Sequence, residues 1–201
     1  VDRKSDEPPH PDLQQALANY VTAQQGTVDT AVCSDYGDGV LSPPVIKAML
    51  DYPRVIVDAQ VDLHRYPGAT LFTPNLPEAE TAVGYPINTP ERLQKAGADL
   101  MALTQAEKML ITRGEDGMSL FEQSGQSHIP AFNRTDVFDV TGAGDTVVAG
   151  LTLALSVGAS PWEAIVLGNL AASLVVRQFG TATTSTLEMK TALMALVETF
   201  Q

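Results

Sequence analysis

Two glycines and two aspartates stand just ahead of a small, branched apolar run in DVTGAGDTVVAG, residues 139–150. Glycine lets a backbone bend close to a ligand. The start of an α-helix aims unpaired N–H groups and a partial positive charge outward. Together they receive phosphate or another anion. Gly142, Ala143, Gly144 and Asp145 can present successive amides to such a group. A nest of amides also stabilises charge that develops on a transferred phosphoryl group. Asp145 is itself an anion, and it has a use there if it accepts the proton of an incoming hydroxyl. An ordinary glycine-rich turn, with an acid favoured by the helix dipole, fits the same four residues equally well. A dinucleotide-binding loop fits poorly: the third glycine of GxGxxG is absent and the segment lies late in the chain.

Other residues with chemical potential fall at the predicted ends of strands. Asn75 and Glu78 are three apart at a strand–helix junction, so both can face one ligand. Glu78 suits a magnesium organiser acting through water, because Mg²⁺ keeps several waters in phosphate sites. The same NLPE segment also reads as a helix cap with an acid in the first turn. TRGEDG, residues 112–117, follows an apolar strand and reads as a phosphate loop or a simple turn into a hairpin, with Arg113 either contacting phosphate or, the favoured reading, solvated. Asp58 ends VIVD, and Asp35 and Tyr36 end the first strand. These three are candidates to line the acceptor side, with a turn-forming role an equal reading for Asp58. His10, His64 and His128 show no metal-ligand spacing. Trp162 reads as a packing residue at a helix start.

The elements that must position these residues alternate. Apolar strands are expected at about 28–36, 54–60, 69–75 and 108–114, with a hairpin around Ser124–Gly125. Helices are expected from Pro11, Pro43 and Leu76, from Pro90 behind a Thr89 cap, and at about 143–157, 161–178 and 186–200. Ser42 and Ser160 are placed to cap two of them. Val147, Leu151 and Leu155 share one helical face, so the 143–157 helix buries its body and leaves its start at the sheet edge. Continuous apolar strands alternating with helices imply a mostly parallel sheet covered on both faces, with ligands beyond the carboxyl ends of the strands.

A chain of 201 residues that is 44% hydrophobic suits one folded domain over 1–201, with the polar, Pro-rich residues 1–12 as a connector or extended arm. The net charge of −12 argues against nucleic acid or an anionic membrane surface as a partner. Any bound phosphates must be held by backbone amides, local cations and metal. The single cysteine, Cys33, sits in an apolar run and reads as a buried structural thiol. Without an internal disulfide, signal peptide or spanning segment, a cytoplasmic location is expected.

The motif DVTGAGDTVVAG resembles the signature of the ribokinase-like (PfkB) carbohydrate kinases. The resemblance implies Asp145 as catalytic base and Gly142, Ala143 and Gly144 as an anion hole. TPNLPEAE is similar to the family's N-x-x-E element, which implies that Asn75 and Glu78 help place magnesium and the phosphates of ATP. ITRGEDGM is similar to its nucleotide loop, implying Thr112, Gly114 and Gly117 beside the ATP phosphates and ribose. GNLAASLVVRQFGTATT is similar to the adenine-site helix and the loop after it, which implies Asn169 and Gly180 near the base. With Asp139 and Thr141, that loop resembles a monovalent-cation site, implying K⁺ held by Val175, Gln178, Gly180 and Thr184, mostly through carbonyl oxygens. The implied fold is a three-layer α/β/α sandwich. The implied reaction moves the γ-phosphoryl of Mg-ATP to a sugar hydroxyl.

VCSDYGDGVLSP, VIVDAQ and RYPGATLFTPNLPEAE, with the glycine motif, further resemble the heptose-7-phosphate kinase branch, in which an anomeric hydroxyl is phosphorylated. Asp38 departs from it, standing where related sequences often carry lysine, and a lost cation there disfavours a phosphorylated sugar. Acceptors such as ribose, fructose phosphate or a nucleoside remain alternatives, as does a non-catalytic nucleotide-binding fragment. The family's glycine-rich N-terminal sugar site and lid have no counterpart in this sequence, so the chain resembles the C-terminal, ATP-side portion. A homodimer is a further implication for the full-length protein.

Overall fold

An oxygen- or nitrogen-bearing cap followed by proline opens most helices of this chain. The computed structural model describes residues 7–132 and 139–199. Its helices are α1 (Pro11–Ala23), α2 (Pro43–Leu50), α3 (Leu76–Val83), α4 (Pro90–Thr104), α5 (Ala143–Ser156), α6 (Pro161–Val175) and α7 (Thr186–Thr199). Its strands are β1 (Ala31–Asp35), β2 (Val55–Ala59), β3 (Leu71–Phe72), β4 (Lys108–Thr112), β5 (Met118–Glu122) and β6 (Gly125–Ile129). Thr89 Oγ1 accepts the Arg92 N–H, and Ser160 forms a reciprocal capping box with Glu163. Ser42 occupies the cap position of α2, but its hydroxyl is buried and makes no capping bond. α1 already begins at Pro11, inside the stretch read as an arm, with His10 accepting the Asp12 N–H.

The six strands lie in the order β1-β2-β3-β4-β5-β6, and β1 through β4 run parallel. Cys33, Val57, Phe72 and Met109 stand in one row across these four strands and are all fully buried. Burial, followed by the negative charge of Asp35, pushes the Cys33 thiol up to about 12. β5 and β6 are joined by two residues, which only an antiparallel hairpin allows. Mostly parallel strands alternating with helices are the arrangement that the sequence implies.

Two strands are shorter than the apolar runs suggest, for local reasons. β3 stops at Phe72 because Pro74 has no N–H for a ladder and Asn75 already caps α3. β1 stops at Asp35, whose Oδ1 accepts the Gly37 N–H in a tight turn.

The chain divides into two compact units. The first comprises residues up to Ile111 with Phe121–Gln126, and the second Thr112–Leu120 with residues from Ser127 on. The first unit's core gathers Tyr66, Phe72, Leu100, Met109 and Ile111. In the second, Val147, Leu151 and Leu155 are buried along α5, as the spacing predicts, with Ile165 and Leu170 of α6. Trp162, read as a packing residue, is 45% exposed.

Candidate active site

In the second unit α5 starts at a glycine because the chain must turn left-handed there. Gly142 caps the helix with φ 76° and ψ 6°, a conformation costly for a residue with a Cβ. Its carbonyl accepts both the Thr146 N–H (3.0 Å) and the Thr146 hydroxyl (2.8 Å), which fixes the first turn. The Ala143 N–H donates to Val140 O at 3.1 Å, so one of the three predicted amides serves the turn itself. Gly144 follows in the first turn of the helix, where amides point toward the helix start. Asp145 is exposed. Its Oδ2 lies 4.0 Å from the point a Cβ on Gly142 would occupy, so the carboxylate folds back over the helix start.

The body of α5 is held against α6 at two glycines. A Cβ on Gly168 would lie 2.9 Å from Val147 O, and one on Gly150 would lie 3.2 Å from Gly168 Cα. The two backbones are therefore in direct contact, which larger residues would prevent. Asn169 follows on α6, almost wholly buried, and its amide donates to Pro130 O at 2.8 Å.

The segment after β4 closes on itself. Gly117 N–H donates to Gly114 O (3.0 Å), Asp116 N–H to Arg113 O (3.1 Å), and Arg113 N–H to Gly117 O (2.8 Å). The Arg113 guanidinium, expected in solvent, donates to Asp116 O at 2.9 Å. Gly117 has φ +80°, and a Cβ there would stand 2.0 Å from Ile129 O.

These pieces enclose a cavity of about 460 Å³. Thr112, Gly114, Gly117, Ala143, Gly144 and Asn169, all singled out from the sequence, line it together. Phe132, Val140, Ala172 and Val176 add an apolar wall that sequence reading missed, with Ser173 among them. A signal for part of it was present: Asn169, Ala172, Ser173 and Val176 recur at helical spacing on one face. Glu115 also lines the cavity.

Asp139 ties two loops of the same unit. Its Oδ1 accepts the Thr141 N–H (2.9 Å) and its Oδ2 the Gly180 N–H (3.0 Å). Hydrogen bonds from Thr141, then from Gly180, hold its carboxyl below the usual aspartate range. Val175 O accepts the Gln178 N–H (3.0 Å), and the Thr184 hydroxyl donates to Glu188 Oε2 (3.4 Å). Both Asp139 oxygens thus hold backbone in place.

In the first unit Asn75 and Glu78 form a capping box on α3. Glu78 N–H donates to Asn75 Oδ1 (2.9 Å) and Asn75 N–H to Glu78 Oε2 (2.8 Å). Burial raises the Glu78 carboxyl above its ordinary range; hydrogen bonds from Asn75 oppose this, and the charge of Asp58 adds to it. Asp58 Oδ1 accepts the Thr73 hydroxyl at 3.0 Å. Asp35 is buried at the end of β1, where Oδ2 accepts from Arg65 (3.0 Å) and from the Tyr66 hydroxyl. Tyr36 beside it is 53% exposed. Among the described residues no three His, Cys, Asp or Glu side chains gather to hold a metal ion.

The family model for pfkB family carbohydrate kinases matches residues 26–188. This chain belongs to that family. It is 42% identical over 196 residues to the bifunctional protein HldE of Pelobacter propionicus, covering 94% of this chain and 40% of that protein. The HldE of Geobacter sulfurreducens is 40% identical over the same length, with the same coverage. The chain thus spans about 40% of the length of these curated relatives. Among solved structures it is similar to phosphofructokinase-2 from Escherichia coli in complex with potassium, at 21% identity and a TM-score of 0.82, covering 94% of this chain and 64% of that one. It is also similar to Arabidopsis thaliana ribokinase complexed with ribose and ATP, at 23% identity and a TM-score of 0.75, covering 93% and 60%. No helix among the described residues is long and apolar enough to cross a membrane.

Proposed function

We propose that this chain is the nucleotide-binding part of an ATP-dependent sugar kinase. The observation that carries the reading is the 460 Å³ cavity on which the 112–117 loop, Asn169 and the start of α5 converge. Its apolar wall suits a purine, and the α5 start suits phosphate. Asp145 accepts the proton of the sugar hydroxyl as that oxygen bonds to the γ-phosphorus and the bond to ADP breaks. The amides of Gly142, Ala143 and Gly144 stabilise the developing charge, with Ala143 first exchanging its bond to Val140 O. Magnesium, when bound, neutralises phosphate charge; Asn75 and Glu78 are the residues assigned to it, Glu78 through water. Asp139 and Thr141 shape the K⁺ loop, with Val175, Gln178, Gly180 and Thr184 supplying donors. The relative crystallised with potassium supports that assignment.

Likeness to the HldE proteins favours a heptose phosphate as acceptor, phosphorylated at its anomeric hydroxyl. Asp35, Tyr36 and Asp58 are the first unit's candidates for the acceptor side, Asp35 through the Arg65–Tyr66 cluster that fixes the β1 end. The enzyme works in the cytoplasm, and a homodimer is its proposed assembly. Two measurements test the reading. Calorimetry should show the chain binding Mg-ATP, and absence of binding refutes the nucleotide site. The protein at the length of its relatives should transfer phosphate within a panel of heptose 7-phosphate, ribose, fructose 6-phosphate and nucleosides. Binding without transfer to any of them would leave a nucleotide-binding module instead of a kinase.

A further inference from the structure

We infer that Glu115 reads the ribose hydroxyls of the nucleotide and makes this cavity select ribonucleotides over deoxyribonucleotides. The inference rests on the nucleotide reading of the cavity and adds a specificity residue to it. Glu115 is the one ionisable side chain among the described residues that line the cavity. Its backbone is held by the closed 113–117 turn and by Gly117, which stands against Ile129 O with no room for a Cβ. A carboxylate on a fixed turn is presented without an ordering cost to that backbone.

Charge then decides what it faces. The start of α5, at Ala143 and Gly144, is the end of the cavity that attracts an anion. A carboxylate beside a triphosphate would be repelled, so the two charged features are served together when the phosphates lie at α5 and an uncharged part of the nucleotide lies at Glu115. Two other polar side chains of the wall already donate within the fold: Asn169 to Pro130 O at 2.8 Å and Ser173 to Leu170 O at 2.7 Å. A carboxylate is acceptor-only with two oxygens, and a ribose diol offers two O–H donors. A nucleotide lacking one of these hydroxyls loses a charge-assisted hydrogen bond, about tenfold or more in affinity.

The test is calorimetric binding of Mg-ATP, Mg-2′-dATP and Mg-3′-dATP to the chain and to its Glu115→Ala and Glu115→Gln variants. The wild-type chain should favour ATP over at least one deoxynucleotide by about tenfold. Glu115→Ala should narrow that ratio to within about twofold, and Glu115→Gln, which keeps one acceptor oxygen, should fall between. Using the ratio removes any general gain from deleting a negative charge, since all three ligands share it. Glu115 is exposed on its turn, so neither variant disturbs a packed core. Equal affinity of the wild-type chain for all three, or discrimination unchanged in Glu115→Ala, overturns the assignment while leaving the nucleotide site intact. Failure of every nucleotide to bind overturns both.

Discussion

Replacing Gly117 by alanine should cost far more than replacing Gly114, three residues earlier in the same turn. Both glycines have positive φ, +80° at Gly117 and +56° at Gly114. A Cβ on Gly114 meets nothing within 4 Å, and its φ lies in the small left-handed region open to ordinary residues. The expected cost is therefore the intrinsic left-handed penalty, about 1–2 kcal/mol. A Cβ on Gly117 would lie 2.0 Å from Ile129 O, 2.6 Å from Ala131 N and 2.7 Å from Pro130 C. All three are backbone atoms, so no side chain can swing aside. The ψ of −133° also puts Gly117 outside the left-handed well. Overpacking of about 1–3 kcal/mol adds to backbone strain of about 1–3 kcal/mol, for a total of about 2–6 kcal/mol. Against a domain stability of about 5–15 kcal/mol that is a large share. Urea unfolding of both variants measures the difference, and Mg-ATP binding reports the cavity wall that Gly117 forms. Equal midpoints for the two variants, or a Gly117→Ala chain as stable as the parent, would refute the close approach of this turn to the end of β6.

Asp145→Asn in the active kinase should lower kcat by about two orders of magnitude or more with ATP affinity little changed, since a general base acts in the transition state; steady-state kinetics with near-normal kcat would remove Asp145 from proton transfer. If the Asp139 loop holds K⁺, activity should rise with K⁺ and hardly with Li⁺, and a flat response to both would end that assignment. Asp139 is also an acid probe: its folded pKa lies below its unfolded one, so its stabilisation is present above about pH 4 and is lost as pH falls through the folded value. The gap in urea midpoint between the parent and Asp139→Ala should therefore shrink below about pH 4, and a gap constant down to pH 2 would contradict it. Cys33, fully buried and with its pKa raised to about 12, should resist iodoacetamide at pH 8 in the folded chain and react once urea unfolds it; rapid labelling of the native state would show that β1 is open.

Some of the candidate site was legible because its causes are local. The Asn75–Glu78 box, the Thr89 cap and the Ser160–Glu163 box each close within four residues, so residue types at fixed spacing announce them. The glycine motif is equally local: Gly142 turns left-handed and α5 begins at Ala143. Ser42 looked the same in sequence, yet its hydroxyl makes no cap bond. Asp35 was noticed as a strand-end acid, but its partners Arg65 and Tyr66 lie about thirty positions later and carry no spacing that links them to it. Arg113 was read as solvated or phosphate-bound, and the bond it makes to its own turn, at Asp116 O, was not foreseen.

What the sequence by itself determined is the set of elements, most of their caps, the parallel arrangement and the family, because each depends on periodicity or on contacts a few residues apart. Only the tertiary structure decided which face of α6 joins the start of α5 and the 113–117 turn around one cavity, and so exposed Glu115 as part of it. The reason is physical: that juxtaposition is set by backbone contact at Gly150 and Gly168 and by the fit of Gly117 against Ile129 O. These are distances between segments far apart in the chain, and no local pattern encodes them.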